Sequence, residues 1–153
     1  MTSVRILVDA DACPVKEEIY KVAFRREVPV RVVSNSFIRV PAHPLIERVL
    51  VSDRFDAADD WIAERATRGD VVVTADIPLA DRALKRGAEA IHPDGRAFTA
   101  DNIGTALASR AIGEHLRSMG ETTRGPAPFR PQDRSRFLSA LDEAVHRARR
   151  ALR

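Results

Sequence analysis

The residues best suited to chemistry are aspartates that follow apolar segments of the chain. Asp9 and Asp11 come directly after the apolar run of residues 4–8, and Asp76 closely follows the apolar run 71–74. Carboxylate oxygens are ligands that suit Mg²⁺ and Mn²⁺ better than zinc. A divalent ion held by them can activate a bound water as a nucleophile. The pattern therefore predicts metal-assisted hydrolysis of a phosphate ester.

A second acidic group lies between these segments, where a helix is predicted to start. Asp56, Asp59 and Asp60 are spaced i, i+3 and i+4, so they share one face of that helix. Ala58 and Ile62 lie on roughly the opposite side and can pack against a sheet. Separate parts of the chain thus offer carboxylates to a common site.

The order of apolar segments predicts an α/β fold with a mainly parallel sheet covered by helices on both faces. Each crossover helix runs back along its strands, so its N-terminus lies near the carboxyl edge of the sheet, where such folds bind ligands. We expect a single domain over 1–153, with a core of about 1–96 and a helical extension of about 97–153. The pattern predicts strands at 4–8, 30–33, 46–51, 71–74 and 88–91, the last of these ending the sheet, and two C-terminal helices at 102–119 and 137–148, after which a basic tail frays.

Each aspartate also has a plainer interpretation. Asp56 and Asp76 open predicted helices, and either could serve only as an N-cap. Asp9 is harder to explain in this way, because an unpaired charge at the end of a buried strand is costly. Taken together, Asp9, Asp11 and Asp76 favour a functional cluster over three separate caps.

Other polar residues give weaker signals. Ser34 and Asn35 end the second strand and could bind a phosphate or substrate, or form only a turn. Arg124, beside a Gly-Pro segment, could contact a nucleic-acid backbone, although a solvated charge is the commoner outcome. Cys13 stands near a helix start, where a thiol can become a nucleophile. No histidine is placed to activate it, and a small buried residue is the plainer interpretation.

The composition indicates a globular protein of the cytoplasm. The chain has 153 residues, of which 44% are hydrophobic and 31% charged, enough for a sizeable core. One cysteine allows no internal disulfide and points to a reducing compartment. No apolar run is long enough to span a bilayer, and the first strand leaves no room for a signal peptide, so we expect no membrane contact. The net charge of +3 admits RNA as a partner, and nothing in the sequence sets an oligomeric state.

Five blocks of the sequence form a distinctive set: Val8–Pro14, Ser34–Ser36, Phe55–Ile62, Val73–Ala80 and Gly125–Phe129. They resemble, nearly from end to end, the signature blocks of the YaiI/YqxD family of uncharacterised bacterial proteins. That family is regarded as similar to the PIN-like nuclease superfamily, whose members have a parallel α/β sheet and hold Mg²⁺ or Mn²⁺ between acids at strand ends. The resemblance therefore implies a three-layer, PIN-like fold.

The resemblance also assigns roles to particular residues. It matches Asp9 to the acid of the first strand, Asp76 to that of the fourth, and Asp59 and Asp60 to the helix acids between them. PIN nucleases often have a glutamate in this middle position, where the helix offers only aspartates before Glu64. The predicted metal ligands are therefore Asp9, Asp59, Asp60 and Asp76, the predicted catalytic residues are Asp9, Asp11 and Asp76, and the predicted substrate contacts are Ser34, Asn35 and Arg124.

Three functions stay open at this point. The first is a Mg²⁺- or Mn²⁺-dependent nuclease that acts on RNA. The second is a phosphatase of the haloacid-dehalogenase type, because Asp9-Ala10-Asp11 resembles its nucleophile and acid/base pair. Cys13 stands where that motif usually has Thr or Val, and its lysine is not obvious. The third is a non-catalytic module that binds RNA or a protein through the basic C-terminal helix.

Overall fold

The computed structural model describes residues 3–11, 13–118 and 129–153, and for residues 110–118 it describes the backbone alone. Arg124 and most of the Gly125–Phe129 block lie outside the described residues. Their predicted roles are therefore not addressed by the structure. No described helix is both long and apolar enough to cross a bilayer.

A six-stranded sheet forms the centre of the molecule, with the strand order β3-β2-β1-β4-β5-β6. Its first five strands are parallel, and β6 is antiparallel to β5. The two central strands, β1 and β4, are rich in buried Val, Ile and Leu, as expected for strands covered on both faces. The strands are β1 Arg5–Asp9, β2 Val30–Ser34, β3 Ile46–Leu50, β4 Asp70–Val73, β5 Glu89–Ile91 and β6 Ala97–Phe98.

The helices cover both faces of this sheet, which makes three layers. On one face, Ile6 and Val8 of β1 pack in the same cluster as α1 and α5. On the other face, Leu7 of β1 packs in a cluster with α2 and α3, while α4 contacts α3 around Ala80 and Ile103. The predicted α/β fold with a mainly parallel sheet is thus confirmed. The helices are α1 Lys16–Arg26, α2 Ala57–Arg65, α3 Ile77–Lys85, α4 Ala100–Ser118 and α5 Pro131–Ala151.

The last helix differs from its prediction, because α5 is a layer of the domain rather than an extension. Its side chains Phe137, Leu141 and Val145 are fully buried and belong to the same core cluster as β1 and α1. It also begins earlier than predicted, at Pro131, and continues to Ala151, through the tail that was expected to fray. Arg26 of α1 forms an ion pair of 2.8 Å with Asp142 of α5.

The sheet also has one strand more than predicted. β6 follows a turn in which Gly95 takes a φ of 96°, a conformation that glycine adopts without steric cost. Only Ala97 and Phe98 form the strand, and two residues are too few to show an alternating pattern. The β5–β6 hairpin matters because it leads into α4 beside the site described below.

We expect Phe137→Ala to destabilise the protein by about 3–5 kcal/mol, the usual effect of emptying a buried phenylalanine site. Urea unfolding followed by circular dichroism measures this change. The matched control is Phe55→Ala, because Phe55 is 101% exposed and should change stability by less than about 0.5 kcal/mol. A similar, small change in both variants would mean that α5 does not support the core.

Candidate functional site

The ends of the central strands β1 and β4 lie side by side, and a threonine connects the acids that follow them. Val8 pairs with Val73 across the two strands, so Asp9 lies next to the segment that starts at Thr74. The Thr74 hydroxyl donates to Asp9 Oδ2 at 2.8 Å and accepts the Asp76 N–H at 2.9 Å. Thr74 is buried. It fixes Asp9 and Asp76, two of the three predicted catalytic aspartates, relative to each other.

The side chain of Asp76 caps α3 and also borders the cleft at this edge. Its Oδ1 accepts the Leu79 N–H at 2.8 Å, so Asp76 is the N-cap of α3. Asp76 lines the cleft as well, since the cap uses only one carboxylate oxygen. Asp56 does not cap α2 through its side chain and instead pairs with Arg54 at 3.0 Å.

A cleft of about 620 Å³ opens between these elements, and several carboxylates border it. Asp59 reaches it from the first turn of α2, and Asn35 from the end of β2. The sequence signals missed Thr74, Asp53 and Phe55, although the position of Thr74 just after a buried strand was a usable indication. The acidic residues that line the cleft are Asp9, Asp11, Asp53, Asp59 and Asp76.

The negative charges in the cleft are compensated only in part. Burial raises the pKa of Asp59 to about 7, and the charges of Asp76 and Asp9 contribute to that rise, which the charge of Arg82 opposes. Burial likewise raises the pKa of Asp9, and the charges of Asp76 and Asp11 add to it, whereas the bond from Thr74 opposes it. Among the described residues, no lysine, arginine or histidine lines the cleft. Carboxylates in such a setting either take up protons or attract a cation.

Asp11 lines the cleft, but its oxygens already hold the neighbouring strand end. Its Oδ2 accepts the Asn35 N–H at 3.1 Å, and its Oδ1 accepts the Ser36 hydroxyl at 3.2 Å. These bonds tie the end of β2 to the end of β1. Asp11 therefore positions the ends of these two strands, because both of its oxygens already accept hydrogen bonds from the chain.

Ser34, predicted to contact substrate, does not line the cleft. It is fully buried, and its hydroxyl donates to the Ser36 carbonyl at 2.5 Å. As the last residue of β2, it also pairs with Leu50 of β3. Its side chain therefore shapes the turn, which is the plainer of the two interpretations, while Asn35 is the residue of this pair that borders the cleft.

Asp60, predicted to join the metal ligands, is likewise not among the cleft-lining residues. Its two oxygens are bound by Arg54 at 3.1 Å and Arg82 at 3.0 Å. Successive helical residues point about 100° apart, so Asp59 faces the cleft while Asp60 faces the arginines. The structure thus brings Asp9, Asp59 and Asp76 together and leaves Asp60 apart from them.

The remaining nucleophile candidate is a buried thiol. Cys13 is 7% exposed, and burial raises its pKa. A thiol of this kind is unreactive, because the thiolate is the nucleophilic form. The structure thus agrees with a packing role for Cys13.

No three or more His, Cys, Asp or Glu side chains within residues 3–11, 13–109 and 129–153 are already arranged as a metal-binding group. The cleft carboxylates face a common space, and the donors that it offers are aspartate oxygens. Donors of this type suit a hard divalent cation that keeps part of its water shell.

Comparison with known proteins places the chain among uncharacterised relatives. The model of the uncharacterised YaiI/YqxD family matches residues 7–147. A "UPF0178 protein" of Caulobacter vibrioides (strain NA1000 / CB15N) is 64% identical over 146 residues, which are 95% of each chain. One from Sphingopyxis alaskensis is 63% identical over 153 residues, 99% of each chain. No solved structure matches the chain significantly.

The raised pKa of Asp59 predicts a pH-dependent stability. The folded pKa is about 7, whereas an unfolded aspartate titrates near about 3.9. Between these values the folded chain binds a proton that the unfolded chain has lost, so Asp59 lowers the free energy of unfolding as the pH rises. Asp59→Asn should therefore raise the free energy of unfolding at about pH 8 by about 1 kcal/mol, after allowance for solvent screening. In a chain of this length, that gain corresponds to a rise in Tm of roughly 2–4 °C.

Differential scanning calorimetry at about pH 4 and about pH 8 measures this effect. The Tm of Asp59→Asn and that of the unsubstituted protein should converge at the lower pH. The matched control is Asp81→Asn. Its carboxylate pairs with Lys85 at 2.8 Å, so the substitution should give no gain at either pH. An equal gain from Asp59→Asn at both pH values would assign the effect to packing instead of charge.

Proposed function

The chain belongs to the YaiI/YqxD family of uncharacterised bacterial proteins, and we propose that it is a metal-dependent phosphodiester hydrolase acting on single-stranded nucleic acid, with RNA as the substrate to test first. One observation carries this proposal. Asp9, Asp59 and Asp76 come from three separate strand–helix junctions and border one cleft. The same proposal includes that this acidic site is similar to that of PIN-like nucleases, which have acids at the strand ends of a parallel sheet.

The cleft suits Mg²⁺ or Mn²⁺ as a cofactor. Two carboxylates about 4 Å apart repel each other by about 4 kcal/mol at an effective dielectric constant near 20, and a cation between them removes that repulsion. Asp9, Asp59 and Asp76 would hold the ion. When bound, such an ion neutralises charge on the phosphate and lowers the pKa of a water molecule.

The chain's own residues fix the geometry of this chemistry. Thr74 holds one oxygen of Asp9, and the helix cap holds one oxygen of Asp76. Both acids are therefore oriented before substrate arrives, which reduces the reorganisation that the reaction requires. In the hydrolysis, a water oxygen bonds to phosphorus while the bond to the leaving oxygen breaks, and the water proton passes to that leaving group.

An exposed aromatic ring favours a polynucleotide over a small phosphate monoester. Phe55 lies at the cleft and is 101% exposed, although a phenylalanine gains about 1.5–3 kcal/mol from burial. The segment that carries Phe55 is held by its neighbours. The Ala57 N–H donates to the Arg54 carbonyl at 3.1 Å, and Arg54 pairs with Asp60 at 3.1 Å. Aromatic side chains beside a backbone-binding groove are the surfaces on which single-stranded bases stack.

The phosphatase alternative receives less support. Val33-Ser34-Asn35 resembles the second motif of these phosphatases, which places a hydroxyl in the site. The Ser34 hydroxyl is instead buried and bonded to the Ser36 carbonyl. Within the described lining of the cleft there is also no lysine. Trapping of a fluoroberyllate adduct on Asp9 would nevertheless restore this alternative.

The first test is the cleavage of single-stranded RNA with Mn²⁺ present. Asp9→Asn should lower the rate at least about 100-fold, because it removes one negative charge from the site that holds the ion. Asp81→Asn is the control, since Asp81 is an acid that does not line the cleft, and it should keep the full rate. Equal rates for the protein and its Asp9→Asn variant would end the hydrolase proposal.

Phe55→Ala tests the substrate class. Loss of one stacked base should raise the KM for single-stranded RNA about tenfold with little change in kcat. The control is Phe37→Ala, since Phe37 is 70% exposed, stacks on Arg48 and does not line the cleft. If both substitutions change KM equally, Phe55 has no special contact with substrate.

A further inference from the structure

A second cavity, of about 630 Å³, lies beside the acidic cleft. The start of α3, the β5–β6 hairpin and α4 form its walls. Ala75 lines both spaces, and His92 of the cavity is followed in the chain by Pro93 of the cleft. The two spaces therefore adjoin at Ala75, whose side chain is a single methyl group. We call the second space the α4 cavity.

The α4 cavity differs chemically from the cleft that it adjoins. Thr105 and Ser109 bring hydroxyls to its wall, and Phe98 brings an aromatic ring. Arg96 is at its edge but is bound to Asp94 at 2.7 Å. Asp101 is the one carboxylate within the described lining. The cavity thus suits a group that has both an apolar surface and hydrogen-bonding atoms.

His92 adds a neutral hydrogen-bonding group to this wall. Its Nδ1 accepts the Asp94 N–H at 2.9 Å. Burial lowers the pKa of His92, and the nearby Asp94 carboxylate opposes that change only in part. The same Nδ1 lies 3.0 Å from the Asp94 carboxylate, so Asp94 holds the ring through this nitrogen. The ring is uncharged near neutral pH, and its Nε2 is left for a further hydrogen bond.

We propose that the α4 cavity binds the nucleobase of a nucleotide whose phosphate lies in the acidic cleft. This inference rests on the proposed function, because it takes the cleft as the phosphate site. The volume lies within the range of about 300–1,000 Å³ that is usual for small-molecule sites, which are mainly apolar with a few fixed polar groups. The phosphate would bind to the divalent ion that the cleft is proposed to hold, and the uncharged base would lie in the α4 cavity, with the sugar across Ala75.

The test measures binding rather than turnover. Isothermal titration calorimetry with Mg²⁺ compares AMP and UMP with ribose 5-phosphate, which has the same phosphate but no base. The nucleotides should bind at least about tenfold more tightly, as expected for one well-placed base. Ala106→Trp, which places an indole in the α4 cavity, should abolish this difference.

The matched control is Ala108→Trp on the same helix, because Ala108 is exposed and does not line the cavity. It should retain the preference for nucleotides. Circular dichroism checks that both variants fold. If Ala106→Trp does not fold, Thr105→Trp places the same ring in the cavity from an exposed position.

Three outcomes would overturn the inference. They are equal affinity of the protein for AMP, UMP and ribose 5-phosphate, no measurable binding of any of them, or a nucleotide preference that survives the tryptophan in the cavity. A preference lost in Phe55→Ala but kept in Ala106→Trp would assign the base to Phe55 instead. A nucleotide preference that depends on the cavity, in a protein that cleaves no RNA, would support the inference and contradict the hydrolase proposal alone.

Discussion

The hydroxyl group of Thr74 joins the two strand ends on which the site depends. It donates to Asp9 and accepts from the backbone of Asp76, so a single buried side chain sets the relation between acids far apart in sequence. The parallel pairing of β1 with β4 makes this contact available. Burial and neighbouring charges disfavour the charged form of Asp9, whereas the bond from Thr74 favours it. Thr74 therefore also limits the rise in the pKa of Asp9.

The opposite edge of the same strands shows how this fold treats an acid that has only a structural role. Asp70 at the start of β4 is 2% exposed and accepts two hydrogen bonds from the guanidinium of Arg5, at 3.1 and 2.9 Å. It also accepts the Thr67 N–H at 3.0 Å. A nearly buried carboxylate is there fully matched by a cation and a backbone donor, as its desolvation requires. The carboxyl edge has more acids and no such cation in its described lining.

This contrast is the physical reason to treat the carboxyl edge as a functional site. Residues that raise the free energy of the folded state without full compensation are concentrated where proteins bind or react. The acids of the cleft and the exposed ring of Phe55 both fit that description. The adjoining α4 cavity extends the same edge of the sheet with hydroxyl, imidazole and aromatic groups and a single described carboxylate, so it is far less acidic than the cleft.

The sequence by itself determined the α/β class, the mainly parallel sheet and the placement of Asp9, Asp59 and Asp76 at its carboxyl edge, because apolar runs and helix periods are local properties of the chain. Only the tertiary structure decided that Asp60 is bound by Arg54 and Arg82, that the Ser34 hydroxyl is buried, and that Thr74 links the acids. It also decided that α5 covers the sheet and that β6 extends it. A periodic pattern shows which face of a helix or strand is apolar, whereas the partner of each polar side chain depends on distant segments that meet only in the folded chain.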